Sequence, residues 1–154
     1  MGVAGSRPAE GTNFFTMNNK SKGNIGEIKV ASEFIKYGCT VSFPFGDNAR
    51  YDLIVDLNGI LKKVQVKYAD CKSNNKSWRC MCVSSTNHTT NKNLHDYEND
   101  VDIIAFYIAE LDKCIMFNIQ EIKGKTCVYV REESPVNNQS TVVFIKDHTF
   151  DKYL

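Results

Sequence analysis

Apolar and polar positions along the chain follow first a helical and then an extended period. From Asn24 onward apolar residues recur at the spacing of one helix face, and Asn24 with Glu27 three residues later has the spacing of a capping box. Gly38 after Tyr37 predicts the end of this helix. The apolar face is expected to consist of Ile28, Ala31, Phe34 and Ile35.

The stretch from Arg50 to Tyr68 predicts a β-hairpin. Two apolar runs, Asp52–Leu57 and Leu61–Tyr68, flank the dipeptide Asn58-Gly59. Asn-Gly is a strong hairpin signal because both residues tolerate the positive φ angles of a type I′ turn. We therefore expect the two runs to pair as antiparallel strands.

Side-chain alternation divides the second strand of this hairpin into an apolar and a polar face. Val64 and Val66 fall on one face, and Gln65 and Lys67 fall on the other. Asp52 stands at the start of the neighbouring strand. An amide and an ammonium group are thus predicted side by side, close to a carboxylate.

The remainder of the chain predicts further short strands and an α/β fold with a mixed central sheet. Val101–Ala109 is almost continuously apolar, as expected of a strand at the centre of a sheet. The polar run Ser85–Asn93 predicts a surface loop. A short helix is expected at Ile119–Lys123. The other strand candidates are Cys39–Phe43, Trp78–Ser84, Cys114–Ile119, Cys127–Arg131 and Thr141–Lys146.

Length and composition indicate one globular domain at residues 17–154, preceded by a flexible arm or cloning remnant at residues 1–16. The chain has 154 residues, 42% of them hydrophobic and 24% charged. No apolar run has the length needed to cross a bilayer, and no signal-peptide pattern is present. The six cysteines are therefore expected to be reduced, in a cytoplasmic protein without a membrane partner.

Charge is distributed unevenly and indicates a polyanionic partner. Residues 17–92 carry twelve Lys/Arg against six Asp/Glu, whereas residues 93–154 carry six against eleven. A nucleic acid is thus expected to dock on the first half, and polar side chains of Ser85–Asn93 have the chemistry of base contacts. A merely solvated basic surface and an ordinary loop remain the alternatives. The candidate DNA contacts are Lys20, Lys22, Arg50, Arg79, Asn87, His88 and Lys92.

The polar face of the hairpin has the groups needed for metal-dependent phosphodiester cleavage. Mg²⁺ takes oxygen ligands, and Asp52, the Gln65 amide oxygen and the Val66 backbone carbonyl can supply them. The Lys67 ammonium would lie next to the phosphate. Glu27 is expected to complete the site from the helix or to serve as the capping-box partner, and the two roles do not exclude each other.

The order of these residues resembles the PD-(D/E)XK nuclease superfamily. Gly26-Glu27, Tyr51-Asp52-Leu53-Ile54 and Val64-Gln65-Val66-Lys67 match its motifs, and the compact length and the glutamine look similar to the cyanobacterial, intron-encoded homing branch. By this likeness Glu27, Asp52, Gln65 and Lys67 are catalytic. Two departures are that Tyr51 replaces the motif proline and Gln65 replaces an acid.

The resemblance implies a restriction-endonuclease-like core with helices flanking the sheet. It further implies Mg²⁺-dependent cleavage of double-stranded DNA, intron homing, and a homo-oligomer, either a dimer or a tetramer, because one active site cuts one strand.

Three other functions remain open on the sequence. A Holliday-junction resolvase or repair nuclease would share the site but recognise a different DNA shape. A nuclease cluster of the HNH type would use His88, Asn91 or Asn93, and His95. A non-catalytic DNA-binding domain would bind DNA in a salt-dependent manner without cutting it.

Overall fold

The computed structural model describes residues 17–46, 48–72, 76–88, 91–134 and 142–154. For residues 70–72, 85–88 and 91–93 it describes the backbone alone. The predicted N-terminal arm at residues 1–16 lies outside the described residues.

Helix α1 extends over Asn19–Lys36 and begins five residues before the predicted start. Its N-cap is Asn18, whose side-chain Oδ1 accepts a hydrogen bond from the backbone N–H of Ser21 at 2.8 Å. Asn24 is therefore not the N-cap, and Glu27 lies in the helix interior, so the capping-box interpretation is wrong. The predicted C-terminal end is confirmed, because Gly38 follows with φ of +81°.

The buried face of α1 is rotated relative to the prediction. Val30, Ala31 and Phe34 are buried, whereas Ile28 and Ile35 are 65% and 59% exposed. The sequence pattern was ambiguous because apolar residues occur on two sides of this helix.

The backbone forms a mixed sheet that is centred on one long strand. The strands are β1 (Thr40–Ser42), β2 (Leu53–Leu57), β3 (Ile60–Lys72), β4 (Ser77–Met81), β5 (Ser84–His88), β6 (Asn91–His95), β7 (Ile103–Ile108), β8 (Lys113–Asn118), β9 (Cys127–Arg131) and β10 (Val143–Phe144). Strand β3 pairs antiparallel with β2 and with β4, and parallel with β7. Strand β7 pairs antiparallel with β8, and the outer pairs are β1 with β2, β4 with β9, and β9 with β10.

The hairpin and the central strand agree with the prediction. Asn58 and Gly59 have φ angles of +56° and +87°, as the turn between β2 and β3 requires. Every residue of β7 is buried. Short 3₁₀ helices follow the later strands, at Ala109–Leu111, Ile119–Ile122, Ile145–Asp147 and Phe150–Lys152.

The prediction of a surface loop at Ser85–Asn93 is wrong in its secondary structure, because this segment belongs to two strands. Strands β5 and β6 pair antiparallel, with Ser84 opposite His95 and His88 opposite Asn91, and they form a sheet of their own. Ser, Thr and Asn gave the pattern of a loop because this hairpin carries no apolar face that would reveal a strand period. Strand β4 also ends earlier than expected, at Met81.

The sheet has apolar clusters on both faces. Val64 and Val66 of β3 pack under α1 together with Val30 and Phe34. The opposite face contains Ala69, Trp78 and Phe106 with the other members of a second cluster. An α/β fold with a mixed central sheet is confirmed; in the described part of the chain one α-helix and four 3₁₀ helices accompany the sheet. None of the described helices combines the length and apolarity that a bilayer crossing requires.

Candidate active site

Asp52 lies where β2 begins and continues the sheet pairing with its side chain. The Asp52 backbone N–H donates to the Val64 carbonyl at 2.9 Å, and the next partner on β3, the Val66 N–H, donates to Asp52 Oδ2 at 2.7 Å. The Gln65 side-chain amide also donates to Oδ2. Two donors from consecutive residues thus fix the carboxylate at the edge of the hairpin.

The Gln65 amide occupies a position on which oxygen atoms converge. Its Nε2 donates to Asp52 Oδ2 and, at 3.3 Å, approaches the Val66 carbonyl oxygen. The amide NH₂ group, which carries a positive partial charge, is therefore held between two oxygens. Rotation of the Gln65 amide by 180° would put Oε1 in the place of Nε2, so that three oxygens would surround this position. Oxygen donors of this kind fit Mg²⁺, which is typically bound by one or two carboxylates plus other oxygens. Asp52, Gln65 and Val66 are therefore the residues that could hold a cation.

Glu27 of α1 and Asp52 line a common cleft. A cleft of about 440 Å³ separates the helix from the segment between β1 and β2, and both Glu27 and Asp52 line it. The cleft is lined by Lys20, Gly23, Asn24, Glu27, Phe43, Pro44, Gly46, Ala49, Tyr51 and Asp52. The helical and strand-borne carboxylates of the predicted site are thus brought together.

Close packing of α1 on the sheet keeps Glu27 next to the cleft that Asp52 also lines. The preceding residue, Gly26, is buried, and a Cβ at this position would lie 3.5 Å from Val66 Cγ1 and 3.8 Å from Tyr107 Cβ. The helix backbone therefore lies close to β3 and β7, with room for a Cβ but not for a large side chain, and Glu27 follows at the cleft.

Burial is the main influence on both carboxyl groups. Desolvation raises the pKa of Glu27, and the negative charge of Asp52 raises it further. Desolvation also raises the pKa of Asp52, although the Val66 N–H, the charge of Lys67 and the Gln65 amide act in the opposite direction. Both pKa shifts mean that the two negative charges are held at a free-energy cost, which a bound cation would offset.

Lys67 lies on the same face of β3 as Gln65 and is in contact with Tyr97. Its Nζ donates to the Tyr97 hydroxyl at 2.9 Å and lies 4.9 Å from the centre of the Tyr97 ring. The four predicted catalytic residues therefore comprise a carboxylate–amide pair, an ammonium two residues further on the same strand, and a carboxylate from the helix.

The candidate DNA contacts lie in different places. Lys20 lines the cleft, and Lys22 Nζ lies 5.4 Å from the centre of the Tyr68 ring. Arg50 forms an ion pair with Asp100, with 2.7 Å between Nε and Oδ2.

Arg79 lies on the sheet face opposite Lys67, because its register partner Asp70 has the opposite alternation from Lys67 along β3. The side chains of Asn87, His88 and Lys92 lie outside the described residues; their backbones belong to the β5–β6 hairpin.

The HNH-type alternative finds no support among the described side chains. Within the described ranges, no three His, Cys, Asp or Glu side chains come together in a way that could hold a metal ion. Of the four residues invoked for such a cluster, only His95 has a described side chain, and it is exposed.

Tyr97 is a site residue that the sequence argument missed. It lies in the segment between β6 and β7, in a run of polar residues without periodicity. Its contact with Lys67 joins positions 30 residues apart, and no local pattern predicts such a pair.

Three comparisons with known proteins agree with this geometry. A family model described as PD-(D/E)XK endonuclease matches residues 17–151. Protein 5.3 of Escherichia phage T7 is 31% identical over 109 residues, covering 70% of this chain and 86% of that protein. Among solved structures, the bacterial homing endonuclease I-Ssp6803I matches with a TM-score of 0.67 and 27% identity, covering 80% of this chain and 84% of the other.

Proposed function

The chain belongs to the PD-(D/E)XK endonuclease family and is a DNA endonuclease, and on this premise we propose that it makes site-specific double-strand breaks with Mg²⁺ as cofactor. The proposal includes a homing role, in which the target is the uninterrupted form of the gene that carries the enzyme's own coding sequence.

The observation that carries this proposal is the convergence of Asp52 Oδ2 and the Val66 carbonyl oxygen on the Gln65 amide, with Lys67 next on the same strand face. The family motif requires a strand-start carboxylate, an oxygen-bearing side chain and a lysine two residues later. This chain has all three, on one hairpin, beside a cleft that opens to solvent.

Mg²⁺ held by these oxygens would act as a Lewis acid toward the scissile phosphate and would lower the pKa of a water molecule. The residues of the chain supply the positioning. Asp52 is fixed by two hydrogen bonds. The Lys67 ammonium, on the same face of β3 as Gln65, would stabilise the negative charge that develops on the phosphate. Glu27, whose pKa is raised by burial and by Asp52, is suited to accept a proton.

Target recognition is proposed to use the basic half of the chain. Lys20 lines the cleft and Lys22 lies on the same helix, and we expect both to contact the phosphate backbone, which positions DNA without reading its sequence. The polar β5–β6 hairpin, with Asn87, His88 and Lys92, has side chains of the chemistry that reads base edges. The solved structure with TM-score 0.67 is titled as a homing endonuclease, and this likeness supports the homing role.

A symmetric homo-oligomer, a dimer or a tetramer, follows from the same chemistry. One active site cuts one strand, so a double-strand break is most simply made by two copies related by a twofold axis. Sedimentation of the protein with and without DNA measures this stoichiometry directly.

The experiment is a selection of cleaved sites from a randomised duplex library with Mg²⁺, with EDTA as the metal-free control. We expect one enriched sequence, and loss of cleavage with retained DNA binding in Asp52→Ala and Lys67→Ala. Cleavage by both variants would refute the site. Cleavage confined to four-way junctions would instead identify a resolvase, and salt-dependent binding without any nicking would identify a non-catalytic binding domain.

A further inference from the structure

The Lys67 ammonium is held by an aromatic side chain from outside the motif. Tyr97 accepts the Lys67 Nζ–H at 2.9 Å, and the same Nζ lies 4.9 Å from the ring centre. A long lysine side chain on a strand has four rotatable bonds, and without a partner its ammonium samples many positions. The hydroxyl and the ring of one residue together restrict that freedom.

Tyr97 is itself rigidly placed. Its exposed fraction is 5%, and it packs in the cluster that contains Trp78 and Cys80. Its backbone carbonyl accepts hydrogen bonds from the N–H groups of Asp100, at 3.0 Å, and Val101, at 3.2 Å. The turn that carries Tyr97 is therefore closed on itself before the start of β7.

Arg50 fastens this turn to the segment that leads into Asp52. Its Nε lies 2.7 Å from Asp100 Oδ2, its terminal nitrogen donates to the Asp96 carbonyl at 3.1 Å, and its guanidinium lies 5.8 Å from the Tyr97 ring centre. Arg50 thus contacts both ends of the Tyr97 turn. A planar guanidinium that is engaged at several donors is suited to such bracing.

We propose that Tyr97, braced by Arg50, is a positioning residue that holds the Lys67 ammonium at the scissile phosphate. The inference rests on the proposed function, since it concerns the lysine of that site. It also gives Arg50 a role different from the direct DNA contact expected from the sequence: the guanidinium holds the Tyr97 turn.

Tyr97→Phe is the variant that tests this role. It keeps the ring and its packing and removes only the hydroxyl that accepts the hydrogen bond from Lys67. Because a small misplacement of a catalytic group is costly, we expect the single-turnover cleavage rate to fall about 10- to 100-fold while the DNA dissociation constant stays unchanged. Tyr129→Phe, at an exposed tyrosine of β9, is the matched control and should cut at the wild-type rate.

Two further variants separate positioning from general stability. Asp100→Asn weakens the ion pair with Arg50 without touching Lys67, and it should reduce the rate by less than Tyr97→Phe does, again with unchanged binding. Arg50→Ala should lower the cleavage rate more than it lowers affinity for DNA. A loss confined to affinity would assign Arg50 to DNA contact and overturn the bracing role.

A measurement that needs no activity keeps the inference testable by itself. In the wild-type protein without DNA, the Lys67 side-chain ammonium should give a slowly exchanging nitrogen-15 signal, and Tyr97→Phe should abolish it. Absence of that signal, or a Tyr97→Phe variant that cuts at the wild-type rate, overturns the inference. Failure of the wild-type protein to cut any DNA would instead overturn the proposed function and leave the Lys67–Tyr97 contact measured.

Discussion

Gln65→Glu places a second carboxylate where an amide now donates a hydrogen bond to Asp52. Two unit charges about 4 Å apart repel by about 4 kcal/mol at an effective dielectric constant of about 20. The protein avoids part of this repulsion when one of the two carboxyl groups takes up a proton. We therefore expect the metal-free variant to lose about 3 kcal/mol in free energy of unfolding above neutral pH.

The loss in free energy of unfolding of Gln65→Glu should increase with pH. In the folded variant the pair of carboxyl groups shares a proton, so one pKa is raised above its value in the unfolded chain. The deficit is therefore absent below the unfolded pKa and grows as the pH rises through the raised folded pKa. A deficit of about 3 kcal/mol corresponds to a drop of about 6–12 °C in melting temperature for a chain of this size.

Mg²⁺ should restore most of the lost stability. A ligand at 100 times its dissociation constant stabilises the folded state by about 2.7 kcal/mol, and an added carboxylate strengthens binding of a hard cation. Urea unfolding in EDTA and in Mg²⁺, at pH 5 and pH 8, measures all four values. Gln120→Glu, at an exposed position, is the control.

If the variant in EDTA at pH 8 differs from wild type by no more than about 0.5 kcal/mol, as a surface substitution does, the Gln65 side chain is not held at Asp52. If the deficit appears but Mg²⁺ does not reduce it, the oxygens around Gln65 do not form the metal site.

Three further outcomes follow from the structure. In the metal-free protein the Glu27 carboxyl should titrate above the ordinary glutamate pKa of 4.5, because burial and Asp52 raise its pKa; a carbon-13 NMR titration in EDTA that shows no upward shift would contradict this. Gly26→Ala should be tolerated, since its Cβ makes an ordinary 3.5 Å contact with Val66, whereas Gly26→Leu should cost about 1–3 kcal/mol in free energy of unfolding from overpacking; equal stabilities in urea would refute the close packing. Asn18→Ala should cost about 1 kcal/mol through loss of the N-cap bond to Ser21, and an unchanged melting temperature would place the helix start elsewhere.

The hairpin could be predicted from local pattern because residues close together in the sequence determine both its turn and the faces of its strands. Asn58-Gly59 determines the turn, and alternation assigns Val64 and Lys67 to opposite faces. The start of α1 was not predictable in the same way. Gly23 and Gly26 lower intrinsic helix propensity, and the packing of α1 on the sheet, where buried Gly26 lies against Val66 and Tyr107, outweighs this local preference.

The other errors also arise where tertiary structure overrides local pattern. The β5–β6 hairpin carries few apolar residues, so its period is invisible in a hydropathy pattern. Tyr97 reaches Lys67 only after the chain between them has folded, and Arg50 reaches Asp100 across a still longer separation. Contacts between distant positions of one sequence are not encoded in any local spacing.

The parallel pairing of β3 with β7 has a consequence for the order in which the site is assembled. Asp52 and Gln65 are 13 residues apart and meet within one hairpin, a structure that forms in about 1–10 μs. The Lys67–Tyr97 contact joins residues 30 apart, and Tyr97 lies just before β7 in the chain. The parallel pairing of β7 with β3 is non-local and therefore forms more slowly. During synthesis from the N-terminus, a nascent chain can thus hold the carboxylate and the amide in place while its lysine is still unrestrained. We expect the ribosome-bound fragment that ends before Tyr97 to be unable to cut DNA, so that the nuclease becomes active only after Tyr97 and β7 have been synthesised.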